Sequence, residues 1–152
     1  MYSTTLCFLI KQNEVLLGMK KTGFGQGKYN GFGGKIKAGE SVQQATVREL
    51  EEESGIQVEE MQLEHVGVLD FIFPASPQLR HDVHIFLART WKGEPLETDE
   101  MRPQWFLHSN IPYDQMWQDD IFWLPKVLAG KRIKGTVVFA ENNEDIAEMN
   151  LS

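Results

Sequence analysis

The chain has 152 residues, which is enough for one domain over 1–152, and its 41% hydrophobic and 24% charged residues are typical of a globular protein. The formal net charge of -7 argues against nonspecific binding to a nucleic acid polymer or an anionic membrane, because both favour an excess of Lys and Arg. Cys7 is the only cysteine, and no apolar run is long enough for a signal peptide or a membrane span, so we expect a cytoplasmic protein.

Two apolar runs begin the chain, TTLCFLI (4–10) and EVLLGMK (14–20). Their spacing predicts a β-hairpin. The glycine-rich stretch 23–39 is interpreted as a loop with a short strand at 31–35. A helix is expected over 42–54, because Ser41 and Gln44 form the pattern of a capping box and Gly55 can end the helix.

The second half of the chain alternates β-forming runs with turn residues and contains one more helical pattern. The predicted elements are strands at 65–73, 81–90, 103–108 and 134–140, a helix at 119–130, and a turn followed by a short strand or tail after 140. Strands predominate and two helices accompany them, so the prediction is an α+β fold with a mixed sheet.

The predicted helix 42–54 carries three glutamates, Glu49, Glu52 and Glu53, beside its small apolar side chains. One interpretation is an ordinary solvated acidic face. The other is a metal site, because like charges at this spacing destabilise a helix, whereas a hard divalent cation such as Mg²⁺ or Mn²⁺ binds carboxylate oxygens from one helical face.

A longer pattern surrounds these glutamates. It consists of Gly34, Glu40, Arg48, Glu49, Leu50, Glu52, Glu53, Gly55 and Ile56. In type and spacing it resembles the Nudix box. The resemblance implies the Nudix fold, an α/β/α sandwich with a central mixed β-sheet, and a Mg²⁺-dependent hydrolase in which Mn²⁺ could substitute.

Further segments are similar to the MutT-type subfamily, which hydrolyses oxidised purine nucleoside triphosphates such as 8-oxo-dGTP and 2-hydroxy-dATP. They include VLLGMKK (15–21), YNGFGGK (29–35), DVHIF (82–86) and DEMRP (99–103). This resemblance implies release of a monophosphate and pyrophosphate by a monomer that sanitises the nucleotide pool. The alternatives are a Nudix hydrolase of another nucleoside diphosphate derivative, or a non-catalytic binding module of the same fold.

The resemblance also assigns roles to individual residues. The metal-binding positions are Gly33, Glu49, Glu52, Glu53 and Glu100, and one of Glu53, Glu49 and Glu100 is the general base. The substrate-binding positions are Thr5, Lys20, Phe24, Asn30, Phe32, Gly34, Lys35, Phe71, Trp117, Asp119 and Asp120. Among these, Phe71 and Trp117 match the residues that sandwich the purine.

Asp119 and Asp120 are adjacent carboxylates, and two of them in an apolar pocket cannot both ionise at low cost. A protonated Asp beside an ionised one could read the Watson–Crick edge of a purine. The alternative is an N-cap for the following helix, and we expect the two roles to be divided between the two residues.

The chain departs from the subfamily pattern between residues 73 and 83, which is one residue longer. Arg80 and His81 stand there where an apolar Met is expected beside the pocket. The resemblance therefore does not extend to the outer wall of the pocket or to the ranking among oxidised purines.

Overall fold

An eight-stranded mixed β-sheet organises the chain in a computed structural model that describes residues 1–152. The strands are β1 (Tyr2–Lys11), β2 (Glu14–Lys20), β3 (Tyr29–Asn30), β4 (Leu63–Ile72), β5 (His81–Ala88), β6 (Met101–Leu107), β7 (Ile133–Phe139) and β8 (Ile146–Leu151). Their order is β3-β2-β1-β5-β4-β7-β8, and β6 pairs with β2. The β1–β5 and β4–β7 pairs are parallel and the others are antiparallel, which confirms the predicted mixed sheet.

Two α-helices pack on opposite faces of this sheet, α1 (Val42–Ser54) and α2 (Asp120–Leu128). Successive side chains of a strand point to opposite faces, so β1 places Phe8 in the core beneath α2 and Cys7 in the core beneath α1. The layers are therefore α/β/α, as the resemblance implied. Neither helix has the length and apolar character of a membrane-spanning segment.

Helix α1 has the bounds that its local signals predict. The Ser41 side chain accepts from the Gln44 N–H, the Gln44 side chain accepts from the Ser41 N–H, and Gly55 ends the helix at a φ of 76°. A left-handed residue at this position satisfies the last carbonyls of a helix, and glycine adopts it without steric cost.

Elsewhere the structure differs from the predicted bounds. The short strand expected at 31–35 lies at Tyr29–Asn30, and the following glycines bring the chain beside β1 through isolated bridges, Cys7 with Phe32 and Thr4 with Lys35. Of the two alternatives predicted after residue 140, a short strand or a tail, the structure has the strand: β8 pairs antiparallel with β7.

Candidate functional site

Three carboxylates come together between α1 and the start of β6. Glu49 and Glu53 lie one turn apart on α1, and Glu100 comes from the segment before β6; one oxygen of each lies within 4.8 Å of the others. Glu53 is only 2% exposed. Carboxylate oxygens gathered this closely suit a hard divalent cation, so the residues present fit the metal that the sequence predicted.

The surroundings of Glu53 set its protonation. Its Oε1 accepts a hydrogen bond from the Gly33 N–H at 2.8 Å, and its Oε2 lies 4.0 Å from Lys20 Nζ. Burial nevertheless raises the pKa of Glu53 to about 8, and the nearby Glu49 and Glu100 add to the rise. Glu53 therefore keeps its proton at neutral pH unless a further positive charge is close.

Arg48 holds the second carboxylate in place. Its guanidinium donates to Glu40 at 2.6 Å and to Glu49 at 2.8 Å, so the Glu49 side chain is anchored from outside the cluster. The Arg48 guanidinium also lowers the pKa of Glu40 to about 2. Glu40 therefore stays ionised as the partner that orients Arg48.

Glu52 lies apart from the other glutamates. Its side chain is 48% exposed, and its carboxylate is 3.3 Å from the Arg48 guanidinium. It is not one of the three grouped carboxylates. A role for Glu52 as a metal ligand stays a prediction.

Gly33 and Gly34 lie where the loop passes between α1 and β1. A Cβ at Gly33 would collide with the backbone of Thr5, whereas a Cβ at Gly34 would lie 2.6 Å from the Glu49 carboxyl carbon. The first obstacle is rigid backbone and the second is the end of a flexible side chain.

We therefore expect Gly33→Ala to destabilise the fold and Gly34→Ala to leave the melting temperature nearly unchanged. The Gly34→Ala protein should bind Mn²⁺ about tenfold or more weakly, because Glu49 must leave its position. Thermal unfolding and Mn²⁺ titration followed by electron paramagnetic resonance would test both. A Gly34→Ala protein with wild-type Mn²⁺ affinity would contradict the assignment of Glu49 to the metal site.

A cavity of about 160 Å³ opens beside Glu53 and extends between the sheet and α2. Its lining combines aromatic side chains with a few polar groups, as in small-molecule sites. The sequence-predicted residues that line it are Thr5, Lys20, Phe24, Asn30, Gly33, Gly34, Glu53, Phe71, Trp117, Asp119 and Asp120. The structure thus brings together residues that are more than a hundred positions apart in the chain.

The inner end of the cavity is polar. Asp119 and Asp120 are both buried, and Asp119 Oδ2 accepts from the Trp123 indole N–H at 2.7 Å. Asp119 Oδ1, Asp120 Oδ2 and Thr5 Oγ1 are buried and have no hydrogen-bond partner within the protein. Buried polar atoms normally have partners, so these three oxygens are available to a ligand.

Burial raises the pKa of Asp119 and raises that of Asp120 well above its usual value, and the charge of Asp119 adds to the effect on Asp120. Burial therefore favours a protonated form of this pair, with the stronger rise at Asp120. Asp119 occupies the N-cap position of α2, but its side chain makes no capping hydrogen bond. The expected capping role is thus absent, because Trp123 engages the Asp119 carboxylate instead.

Aromatic rings form the walls. The Phe24 side chain, half exposed, lies 5.0 Å from the Trp117 ring, and the ammonium of Lys28 lies 5.1 Å above the same indole. Phe71 meets Phe139 edge to face at 5.8 Å. Phe71 and Trp117 both line the cavity. The sandwich of a base between their rings stays a prediction.

Two predicted substrate residues lie outside this cavity. Phe32 is fully buried in the core beneath α1, and the ammonium of Lys35 lies 4.7 Å above the Tyr2 ring. Conversely, Phe73, His81 and Phe139 line the cavity, although only His81 was singled out in the sequence. The spacing of Phe71 and Phe73, two residues apart in the predicted strand 65–73, was the signal that could have found Phe73.

The chain is similar to known proteins in sequence and in fold. The family model of the NUDIX domain matches residues 2–127. A protein of Danio rerio named oxidized purine nucleoside triphosphate hydrolase is 50% identical over 97% of this chain and 92% of its own length. The protein of the same name from Mus musculus is 46% identical over 91% of this chain and 87% of its own. A crystal structure of a MutT protein from Bacillus halodurans superposes with a TM-score of 0.87 over 100% of this chain and 98% of that one, at 24% identity, and so supports the fold.

Proposed function

The chain belongs to the Nudix family, and on this basis we propose that it hydrolyses oxidised purine nucleoside triphosphates to the monophosphate and pyrophosphate with Mg²⁺. One observation carries the proposal: Glu53 belongs both to the carboxylate cluster and to the lining of the aromatic cavity. A nucleotide whose base lies in the cavity would therefore place its phosphates beside the cluster. Two relatives that share 50% and 46% of the residues bear the name of this activity.

The cluster supplies the hydrolytic chemistry. A divalent cation held by Glu49, Glu53 and Glu100 would neutralise phosphoryl oxygens and lower the pKa of bound water. Lys20 adds a positive charge at the boundary between the cluster and the cavity. Water attacks an inner phosphorus, its proton passes to one of the three glutamates, and the bond to the pyrophosphate leaving group breaks.

The Asp pair supplies recognition of the base. Asp120 donates its carboxyl proton and the ionised Asp119 accepts, which complements a purine edge that offers both an acceptor and donors. Because one proton is shared by two carboxyl groups, the pair can also serve an adenine-like edge. We propose that Mn²⁺ can substitute for Mg²⁺ and that the acting form is a cytoplasmic monomer with one domain over 1–152.

Metal binding is expected to release a proton from Glu53. Since the pKa of Glu53 is raised to about 8 by burial, a cation must displace its proton at neutral pH, and Mg²⁺ affinity should rise as the pH increases toward 8. Calorimetry in two buffers of different ionisation enthalpy would count the protons. Glu53→Gln should lose this release, and an unchanged proton count in that variant would place the titrating group elsewhere.

Substrate identity is tested by pyrophosphate release from a panel with Mg²⁺. The panel contains 8-oxo-dGTP, 2-hydroxy-dATP, O6-methyl-dGTP, dGTP, ADP-ribose and diadenosine tetraphosphate. We expect the highest kcat/KM for an oxidised purine triphosphate. Equal rates for dGTP and 8-oxo-dGTP, or a preference for ADP-ribose, would refute the proposal in favour of another Nudix substrate, and no turnover would favour a binding module.

A further inference from the structure

His81 is the one imidazole in the wall of the cavity. It begins β5, is 8% exposed, and lies among Phe71, Phe73 and Phe139. Neither the carboxylate cluster nor the Asp pair involves it. An apolar side chain would complete such an aromatic wall equally well, so a polar ring at this position requires an explanation.

The orientation of the His81 ring is fixed in two ways. Its plane is set by stacking on Tyr2 at 5.0 Å and 13°, and on Phe73 at 6.0 Å and 16°. Its rotation within that plane is set by the contact of Nδ1 with the Leu79 carbonyl oxygen at 2.6 Å. Groups held in this way are suited to directional recognition, because binding does not have to order them.

The same contact assigns the tautomer. A carbonyl oxygen can only accept, so Nδ1 carries the proton, and in the neutral ring Nε2 is the acceptor. The charged groups around the ring are Asp70 on β4, Asp82 on β5 and Lys35 in the glycine-rich loop. Burial outweighs the two carboxylates and lowers the pKa of His81, so the ring is neutral at physiological pH.

Hydrogen bonds to the Asp pair do not explain how the oxidised base is distinguished from the ordinary one. The Watson–Crick edge is the same in guanine and in 8-oxoguanine, so hydrogen bonds to that edge cannot distinguish them. The difference lies at the opposite edge of the base: N7 of guanine has a lone pair, whereas N7 of the 8-oxo form carries a hydrogen.

We propose that His81 is a specificity-determining residue whose Nε2 accepts a hydrogen bond from the N7–H that oxidation at C8 adds to the purine. This assignment rests on the proposed function and names the group that tells the oxidised base from the ordinary one. With an unmodified purine, two lone pairs would face each other, which provides the repulsion that selectivity requires.

The test measures binding of the products, so that no turnover is needed. Dissociation constants of 8-oxo-dGMP and dGMP are determined calorimetrically at pH 7.5 for the wild type, His81→Phe and His81→Gln. His81→Phe keeps an aromatic ring but removes the acceptor, and the preference for 8-oxo-dGMP should fall about tenfold. His81→Gln, whose amide oxygen can accept, should retain more of the preference.

His65→Phe is the matched control, because this imidazole is exposed on β4 and lies outside the cavity. It should bind both nucleotides as the wild type does. In the wild type the preference should also decline as the pH falls through the lowered pKa of His81, since the protonated ring has no acceptor, whereas His81→Phe should show a low and flat profile. If His81→Phe folds poorly, the profile of His81→Gln takes its place, because glutamine keeps an acceptor that does not titrate.

A His81→Phe protein that keeps the full preference would overturn the inference, as would one that binds both nucleotides more weakly by the same factor. Those results leave the proposed function intact. A wild type without preference for 8-oxo-dGMP or 8-oxo-dGTP would overturn both, and the two failures are thus distinguishable.

Discussion

Glu53→Gln is expected to lower kcat/KM for 8-oxo-dGTP by about three orders of magnitude, within the range of about 10²–10⁴ for loss of a group in general acid–base catalysis. Glutamine cannot ionise, so the cluster keeps only Glu49 and Glu100 as charged ligands. The fold should survive, because burial already favours the neutral form of Glu53, and the glutamine oxygen can still accept from the Gly33 N–H.

Steady-state pyrophosphate release would test the expected loss of activity in Glu53→Gln, and thermal unfolding without metal would test whether its fold survives. Glu51→Gln is the matched control, since Glu51 is exposed on the same helix and is not part of the carboxylate cluster. It should retain full activity. If Glu53→Gln keeps wild-type turnover while it remains folded, the carboxylate cluster on α1 does not perform the chemistry.

The parts of the fold that the sequence predicts well have local causes. Helix α1 has the predicted bounds because Ser41, Gln44 and Gly55 satisfy its ends without help from distant residues. The hairpin of β1 and β2 likewise needs only a short turn between two apolar runs. Strand β3 was misplaced because glycines on both sides of Phe32 carry no pattern of inward and outward side chains.

In the candidate site, too, features with local causes are predictable from the sequence, and features that depend on distant segments are not. The helical repeat places Glu49 and Glu53 together, and the angular offset of one residue turns Glu52 toward solvent. By contrast, Phe73 and Phe139 stack at 4.6 Å only because β4 pairs with β7 in one register. Such pairing depends on contacts between distant segments, which periodicity along the chain does not encode.

The two aspartates of the cavity should respond differently to the same substitution. In Asp119→Asn, the Trp123 N–H will hold the amide oxygen, so the amide nitrogen takes the place of the unpaired Oδ1. A donor would then face the donors of the guanine edge. We expect kcat/KM for 8-oxo-dGTP to fall by about 100-fold, the scale of one lost hydrogen bond to a charged group together with an unpaired polar atom.

Asp120→Asn should have a smaller effect, about tenfold or less, because a protonated carboxyl and an amide each offer one acceptor and at least one donor. Asp114→Asn, at an exposed position shortly before α2, is the control and should change nothing. Kinetics and calorimetric binding of 8-oxo-dGMP would measure all three proteins. If Asp120→Asn proves the more damaging substitution, Asp119 is the residue that holds the proton; if neither variant loses affinity, the base does not meet this pair. Because the two substitutions differ only in which carboxyl group becomes an amide, their relative effects would show how the proton is divided between Asp119 and Asp120.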